Sequence, residues 1–287
     1  MIRIALLGNS HLYSWKRAWD SLGRAFPGVE LVFFAAQGRQ LECCEPQGDR
    51  LVFKNEEVER WIAVTSGGRR ELVPADYDVL CIAGLEFGVN AVIGLYSRCR
   101  ADSHEGKEGR FQLVSDACFQ DTVDDLLRGS LAITLVGRLR RITDKAIWLA
   151  PGPAPSETVL TSDQSPWGIR FATVATDATS LRAAYDEACR RLATEDLIVL
   201  EQPKATWASP IVSRDEYRRP GVTKPDFFHL NDAYGRIAIR EFLSRLDPAL
   251  NGHGAGSSGR FQRLADPLLD TLRSRLSQVL IRRSSKS

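Results

Sequence analysis

Three side chains at two distant points of the sequence are of the types that together activate a serine nucleophile. Ser10 follows the apolar run Ile2–Leu7 and precedes a helical pattern. Asp226 and His229 are three residues apart, just before a second helical pattern over 231–246. A serine hydroxyl needs a base to attack a carbonyl near neutral pH, and the base needs an acceptor that orients it. We therefore expect Ser10 to be the nucleophile, His229 the base and Asp226 the orienting group.

Each of these residues also has a simpler interpretation. Serine is a common helix N-cap, so Ser10 could simply begin the helix that follows it. His229 could be a structural histidine, and Asp226 could cap the next helix. A serine at a helix N-terminus also directs its own amide towards any oxyanion formed on the attacked carbonyl. The catalytic interpretation requires that hydroxyl, imidazole and carboxylate meet across more than two hundred residues of chain.

The apolar runs predict a sheet whose edge could bring these residues together. Five runs are expected to be buried strands: Ile2–Leu7, Val29–Ala35, Asp78–Ala83, Lys145–Ala150 and Asp196–Leu200. Helical patterns alternate with them at 11–26, 115–139 (broken near Gly129), 180–194 and 231–246. A β–α–β opening is typical of a parallel sheet with right-handed crossovers. We predict an α/β fold with one doubly wound domain over 1–250 and a mostly parallel five-stranded sheet, whose ligands bind at the carboxyl ends of the strands.

Two segments depart from this rhythm. Residues 38–75 are polar, with short β-like pieces at 50–54 and 60–65, and predict a β-hairpin insertion. Residues 251–259 are rich in Gly and Ser and predict a flexible loop, followed by a helix at 264–281. We expect 251–287 to form an appendage, and its helix to be a candidate contact in a homodimer.

The two short motifs resemble those of the SGNH/GDSL hydrolase superfamily. Gly8-Asn9-Ser10 ends the first strand, and Asp226-x-x-His229 precedes the last core helix. The wider string His229-x-Asn231-x-x-Tyr234-Gly235 is similar to uncharacterised bacterial and polysaccharide-acyl-transfer branches. The resemblance implies a flavodoxin-like fold and an esterase or acyltransferase with a Ser–His–Asp triad. Asn9 stands where the commonest members have Asp.

The resemblance also implies an oxyanion hole with three donors. The Ser10 amide matches the first, and the Gly84 amide, after the third strand, is the expected second. The third would be an Asn side chain after the fourth strand, but Ala150-Pro151-Gly152-Pro153 contains none. Asn9, Asn231 or an arginine could substitute, since losing one donor costs roughly 10²–10³ in rate.

Other polar residues near the expected edge are candidates for contacts with substrate. Asn9, Glu86, Gln202 and Asn231 are the candidates, each with a solvated or structural role as the alternative. We expect His11 to point away from Ser10 and to be a pocket-wall or surface residue.

Composition excludes several other classes of function. Thirty-eight basic and thirty-six acidic residues give a net charge of +2, which argues against a nucleic-acid partner. No apolar run is long enough to span a bilayer, and no leader pattern is seen, so we expect a cytoplasmic protein without membrane contact. Six cysteines without CxxC spacing indicate reduced thiols. Without metal-ligand spacing or a Gly-rich phosphate loop, we expect no metal and no cofactor.

These observations lead to one expected function and two alternatives. The expected function is a serine-dependent ester hydrolase or O-acyltransferase that forms an acyl-serine. Its substrate would be a small-molecule or glycan ester, with acylated carbohydrate suggested by the resemblance alone. The alternatives are a catalytically inactive SGNH-like binding protein, and an acyl-carrier or coenzyme A-binding protein of glycan biosynthesis.

Overall fold

A computed structural model describes residues 1–106, 109–162, 165–220 and 226–246. The predicted loop at 251–259, the predicted helix at 264–281 and the dimer contact assigned to that helix lie outside these residues. Within the described ranges, no helix combines the length and the apolar character needed to cross a membrane.

The described residues form twelve strands and eight α-helices. The strands are β1 (Ile2–Gly8), β2 (Val29–Ala35), β3 (Cys44–Gln47), β4 (Arg50–Phe53), β5 (Glu71–Leu72), β6 (Val79–Ala83), β7 (Cys99–Ala101), β8 (Gln112–Val114), β9 (Ile147–Ala150), β10 (Leu197–Val199), β11 (Trp207–Ser209) and β12 (Val212–Ser213). The helices are α1 (Leu12–Leu22), α2 (Glu56–Ser66), α3 (Val89–Tyr96), α4 (Asp116–Arg128), α5 (Leu131–Arg140), α6 (Pro166–Val174), α7 (Ala178–Leu192) and α8 (Asp232–Leu246).

The central sheet consists of the five strands that the apolar runs predicted. Its order is β10-β9-β6-β1-β2, and every neighbouring pair is parallel. The chain therefore has an α/β fold built on a five-stranded parallel sheet. Strand order reverses between β1 and β6, whose last residues pair as Gly8 with Ala83. Ligands of such sheets bind beyond the carboxyl ends of the strands at this reversal.

Helices cover both faces of the sheet, because successive residues of a strand point to opposite sides. Ile4 and Leu6 of β1 pack in the same core as α1 and α8. Ala5 and Leu7 pack on the other face, with side chains from α2, α3, α4, α5 and α7. The sheet is therefore buried on both sides, which explains why its strands are apolar throughout rather than alternating.

The segment 38–75 contains both strand and helix. β3 and β4 pair antiparallel, with Cys44 opposite Phe53, and β5 adds to β4. The predicted β-like piece at 60–65 is wrong, because this stretch lies in α2. The Asn55 side chain accepts hydrogen bonds from two backbone amides of the first turn and so caps the helix. Val58 and Ile62, one helical turn apart, are the buried residues of its inner face.

Helices α1 and α8 lie in unusually close contact. Gly235 of α8 faces the backbone of α1: a Cβ at position 235 would lie 2.1 Å from the Ser14 carbonyl oxygen and 3.0 Å from the Ala18 Cβ. Only glycine permits this approach. Because Ser10 precedes α1 and His229 precedes α8, the contact brings the two predicted halves of the site to the same end of the sheet.

This contact predicts the effect of a single methyl group. Gly235→Ala should lower the free energy of unfolding by about 2–3 kcal/mol, because the added Cβ must push the two helices apart. The matched control is Gly137→Ala in α5, where an added Cβ would meet nothing within 4 Å. That control should raise stability by roughly 0.5–1 kcal/mol, the usual gain of alanine over glycine within a helix. Urea denaturation measures both; equal effects would contradict the prediction.

Candidate active site

Ser10 lies in the turn that joins β1 to α1. The turn is closed by the amides of Leu12 and Tyr13, which donate to the carbonyls of Asn9 at 3.0 Å and Ser10 at 3.1 Å. The Ser10 side chain does not cap the helix: α1 begins after His11 without a side-chain cap. Its Oγ lies 2.8 Å from Nε2 of His229, 219 positions along the chain. The hydroxyl thus contacts the imidazole instead of the helix end.

The other ring nitrogen of His229 contacts Asp226. Nδ1 lies 2.8 Å from Oδ2 and 2.9 Å from Oδ1 of the carboxylate. Oδ1 also accepts the backbone amides of Phe228 at 3.3 Å and His229 at 3.1 Å. A carboxylate held by two amides and a ring nitrogen has little freedom to turn. It keeps the proton on Nδ1, which leaves the Nε2 lone pair facing the Ser10 hydroxyl.

The backbone around His229 is itself anchored to a neighbouring segment. The His229 carbonyl accepts the Arg219 amide at 3.0 Å, and the Asn231 amide donates to the Tyr217 carbonyl at 2.7 Å. These two bonds fix the backbone on the carboxyl-terminal side of His229, and its own amide donates to Asp226 on the other side. Its side chain remains 33% exposed and that of Asp226 28% exposed, so the three groups are open to a ligand.

A cleft of about 360 Å³ lies beside this site, and it is lined by His11, the residue after Ser10, but by none of the three triad residues. At the end near Ser10 it is lined by His11, Gly84 and Gly152. Its wall further out includes the apolar residues Phe87, Ala91 and Leu126. The volume lies near the lower end of the range of small-molecule sites.

One wall of the cleft is a left-handed turn. Gly84, Leu85 and Glu86 follow one another with φ of +74°, +56° and +68°. Such a backbone costs roughly 1–2 kcal/mol for each residue that is not glycine. The turn is held by the Phe87 amide, which donates to the Gly84 carbonyl at 3.1 Å, and by the burial of the Leu85 side chain. The sequence offered no signal for it, because Leu and Glu do not favour this conformation.

The expected second oxyanion donor is not free. The Gly84 amide donates to the Ala150 carbonyl at 3.0 Å, which ties the end of β6 to the end of β9. The expectation that this amide serves an oxyanion is therefore wrong for the observed geometry. The Ser10 amide, in contrast, has no acceptor among the described residues.

Gln202 is a structural residue rather than a substrate contact. Its side-chain oxygen accepts the Ala154 amide at 2.8 Å. Its side-chain nitrogen donates to the hydroxyls of Thr206 and Ser213, both at 2.9 Å. The residue is 4% exposed and its polar atoms are already engaged, so the predicted contact with substrate is wrong.

Asn231 is likewise used by the fold. Its side-chain oxygen accepts the amides of Ala233 and Tyr234, which caps the start of α8. Its nitrogen donates to the carbonyls of Glu216 and Arg218. This amide is therefore available neither to a substrate nor as a substitute oxyanion donor, and the prediction is wrong. Asn231 has taken the capping role that was the alternative interpretation of Asp226.

The remaining two candidates lie beside the cleft. Asn9 accepts the His11 amide at 3.2 Å, and a Cβ at Gly84 would come within 2.8 Å of its side-chain oxygen. Glu86 lines the cleft and forms an ion pair with Arg39. Contact of either residue with a substrate stays a prediction.

His11 is a wall of the site, and its ring points towards His229. The two ring centroids are 5.4 Å apart with an angle of 35° between the planes. The pKa of His11 is lowered to about 4, chiefly because the ring is buried and also because His229 lies nearby, whereas Asp226 opposes the shift. The Nδ1 atom is buried and has no hydrogen-bond partner in the described part of the chain. The expectation that His11 is a pocket-wall residue is confirmed, because it lines the cleft, whereas its ring contact with His229 contradicts the expectation that it points away from Ser10.

This shift predicts a pH-dependent stability. The unfolded chain binds a proton at His11 near pH 6.5, whereas the folded chain resists protonation until about pH 4. Folding therefore costs nothing at His11 well above pH 6.5, but it requires an increasing free energy to keep the ring deprotonated as the pH falls towards 4. Between pH 7 and pH 5 the free energy of unfolding should decline on this account by about 2 kcal/mol. Urea denaturation of wild type and His11→Leu at both pH values should show this decline in wild type only; an equal decline in both proteins would contradict it.

Comparison with known proteins adds little to this geometry. No protein-family model and no curated protein matches the chain. A solved structure of a DUF4886 family protein from Bacteroides uniformis ATCC 8492 is similar at 15% sequence identity, over 96% of this chain and 94% of that chain, with a TM-score of 0.46. The chemistry of the site is therefore argued from its own side chains.

Proposed function

We propose that this chain is a serine-dependent ester hydrolase or O-acyltransferase of the SGNH/GDSL type that acts through an acyl-serine. The observation that carries the proposal is the continuous polar contact from Ser10 Oγ through His229 to Asp226, with 2.8 Å at each step. Two short motifs from opposite ends of the described chain supply it. Its position, at the reversal of strand order and beside a cleft, is where the fold places ligands.

The first half of the reaction follows from these contacts. A substrate ester lies with its carbonyl carbon beside Ser10 Oγ, and Nε2 of His229 removes the hydroxyl proton as Oγ attacks. Asp226 accepts a hydrogen bond from Nδ1–H of His229 and stabilises the positive charge on the ring. His229 then gives its proton to the leaving oxygen as the bond from the acyl carbon to that oxygen breaks. The products are an alcohol and an acyl group on Ser10.

The second half reverses the roles. Water or an acceptor hydroxyl attacks the acyl carbon while Nε2 of His229 takes its proton. The bond to Ser10 Oγ breaks, and His229 returns the proton to that oxygen. Attack by water gives a carboxylic acid, and attack by a sugar hydroxyl gives a new ester.

The cleft favours a compact ester. A volume of about 360 Å³ suits an acyl group together with part of the alcohol it is bound to. The side chains of His229 and Asp226 are about one-third exposed, so a larger glycan alcohol would extend from the cleft into solvent. We propose a small-molecule or glycan ester as the substrate.

A second candidate function has one observation in its favour. The Gly84 amide is engaged and no Asn follows β9, so two of the three donors implied by the family resemblance are missing. A chain that kept the fold and lost turnover would show this pattern. It would bind esters without forming the acyl-serine.

Removing the nucleophile tests the proposal. Ser10→Ala should reduce hydrolysis of p-nitrophenyl acetate by roughly 10³-fold or more, because no hydroxyl remains to attack. It should also abolish labelling by a fluorophosphonate, which reacts quickly only with an activated serine. Ser21→Ala is the matched control, since Ser21 lies on α1 and donates only to the Ala18 carbonyl.

The two assays also separate the candidate functions. The enzyme hypothesis is supported if wild type is labelled and hydrolyses the ester, and if both activities disappear in Ser10→Ala. Unchanged hydrolysis in Ser10→Ala would remove Ser10 from the mechanism. Wild type that neither labels nor hydrolyses would overturn the enzyme and favour the binding protein.

A substitution at Asp226 tests the orienting role separately. Asp226→Asn keeps an oxygen for the amides of Phe228 and His229 but offers a donor to Nδ1, which favours the wrong tautomer of the ring. The kcat for p-nitrophenyl acetate should fall by roughly 10³–10⁴-fold. The melting temperature should change little, because the backbone contacts survive. A rate within tenfold of wild type would contradict the assigned role.

A further inference from the structure

The proposed reaction lacks donors for the charge it creates. Attack on the ester places a negative charge on the carbonyl oxygen, and preorganised N–H groups at that point are usually the largest catalytic contribution. The Gly84 amide donates to Ala150, the Gly152 amide donates to the Phe87 carbonyl at 2.7 Å, and Pro151 has no N–H. Among these backbone positions, the Ser10 amide is the donor left without an acceptor.

The His11 ring is a candidate for a further donor, because it contacts the ring of His229 and lines the cleft. It belongs to the residue after the nucleophile and lies 5.4 Å, centroid to centroid, from the ring of His229, whose Nε2 contacts Ser10. Its Cδ2–Nε2 edge faces the glycine wall of the cleft. A Cβ at Gly152 would lie 3.5 Å from Cδ2 and 3.6 Å from Nε2, and one at Gly84 would lie 3.1 Å from Cδ2.

The surroundings of the ring select which nitrogen carries its proton. Nδ1 is buried without a partner, so an N–H at that atom would lose its hydrogen bond to water and gain none. A proton on Nε2 is instead directed at the edge that lines the cleft, where a ligand can accept it. Burial keeps the ring neutral at pH 7, with a pKa of about 4, so it places no second positive charge beside His229 when that residue becomes protonated.

We propose that Nε2–H of His11 donates a hydrogen bond to the substrate carbonyl oxygen as it becomes the oxyanion, in place of the missing asparagine. This inference rests on the proposed function. The proposed role would explain why a histidine is found at position 11 although its buried Nδ1 atom forms no hydrogen bond within the described fold. His11 transfers no proton in either half of the reaction, so the proton balance between Ser10, His229 and the leaving group is unchanged.

A matched pair of substitutions tests the donor. His11→Leu removes the N–H with little loss of volume, whereas His11→Gln carries a neutral N–H donor whose amide nitrogen reaches the position of Nε2 in the histidine ring. On p-nitrophenyl acetate, kcat should fall roughly 10²–10³-fold in the leucine variant, with KM changed by no more than a few-fold. The glutamine variant should stay within about tenfold of wild type. At pH 7 the melting temperature of the leucine variant should equal or exceed that of wild type, because an unpaired polar atom is removed.

The outcomes separate this inference from the proposed function. Full kcat in His11→Leu, or an equal loss in the leucine and glutamine variants, would overturn the donor role while Ser10-dependent hydrolysis by wild type still supports the enzyme. Absence of Ser10-dependent hydrolysis in wild type would overturn both. If the leucine variant does not fold, His11→Ala takes its place in the same comparison with glutamine.

Discussion

The site depends on the packing of α1 against α8. Closing a chain over 219 positions costs about 5 kcal/mol of entropy, whereas one hydrogen bond contributes roughly 1 kcal/mol net. The Ser10–His229 contact therefore cannot hold the two ends together. Burial does so: Trp15 of α1 and Phe242 of α8 are 6% and 2% exposed and in ring contact, and one such side chain contributes about 1.5–3 kcal/mol. Gly235 lets the helices approach closely enough for the hydroxyl to reach the imidazole.

Once the two ends are together, local geometry sets the orientation of the reacting groups. Ser10 is positioned by a turn that two backbone hydrogen bonds close. Asp226 is positioned by the hydrogen bonds it accepts from the backbone amides of Phe228 and His229. None of these contacts involves a substrate. The alignment is therefore prepared by folding, so that binding energy need not be spent on it, and such preorganisation is worth several kcal/mol to a reaction between bound groups.

Features set by local interactions could be predicted from the sequence, whereas features set by contacts between distant segments mostly could not. Strands buried on both faces leave continuous apolar runs, so all five core strands were predictable. The two short motifs predicted which three side chains would meet. In contrast, residues 60–65 of α2 were predicted as β-like, because Trp61, Ile62 and Val64 also suit a strand; the helix cap at Asn55 was the overlooked signal. The Gly84 amide was misjudged because its acceptor, Ala150, comes from another strand, and such pairing depends on the register between β6 and β9.

Four energetically costly features of the described structure lie at or beside the cleft, while three other buried atoms without a partner, Arg100 Nε, Ser156 Oγ and Tyr185 Oη, lie elsewhere. Leu85 and Glu86 adopt left-handed backbone conformations there, and the buried side-chain atoms His11 Nδ1 and Asn90 Oδ1, which also line it, have no partner. Each such feature costs roughly 1–3 kcal/mol, against the 5–15 kcal/mol of net stability typical of a domain. A sequence shaped only for stability would lose them, since stabilising replacements are common. Unfavourable local features of this kind often occur at functional sites, which agrees with the function proposed for this cleft.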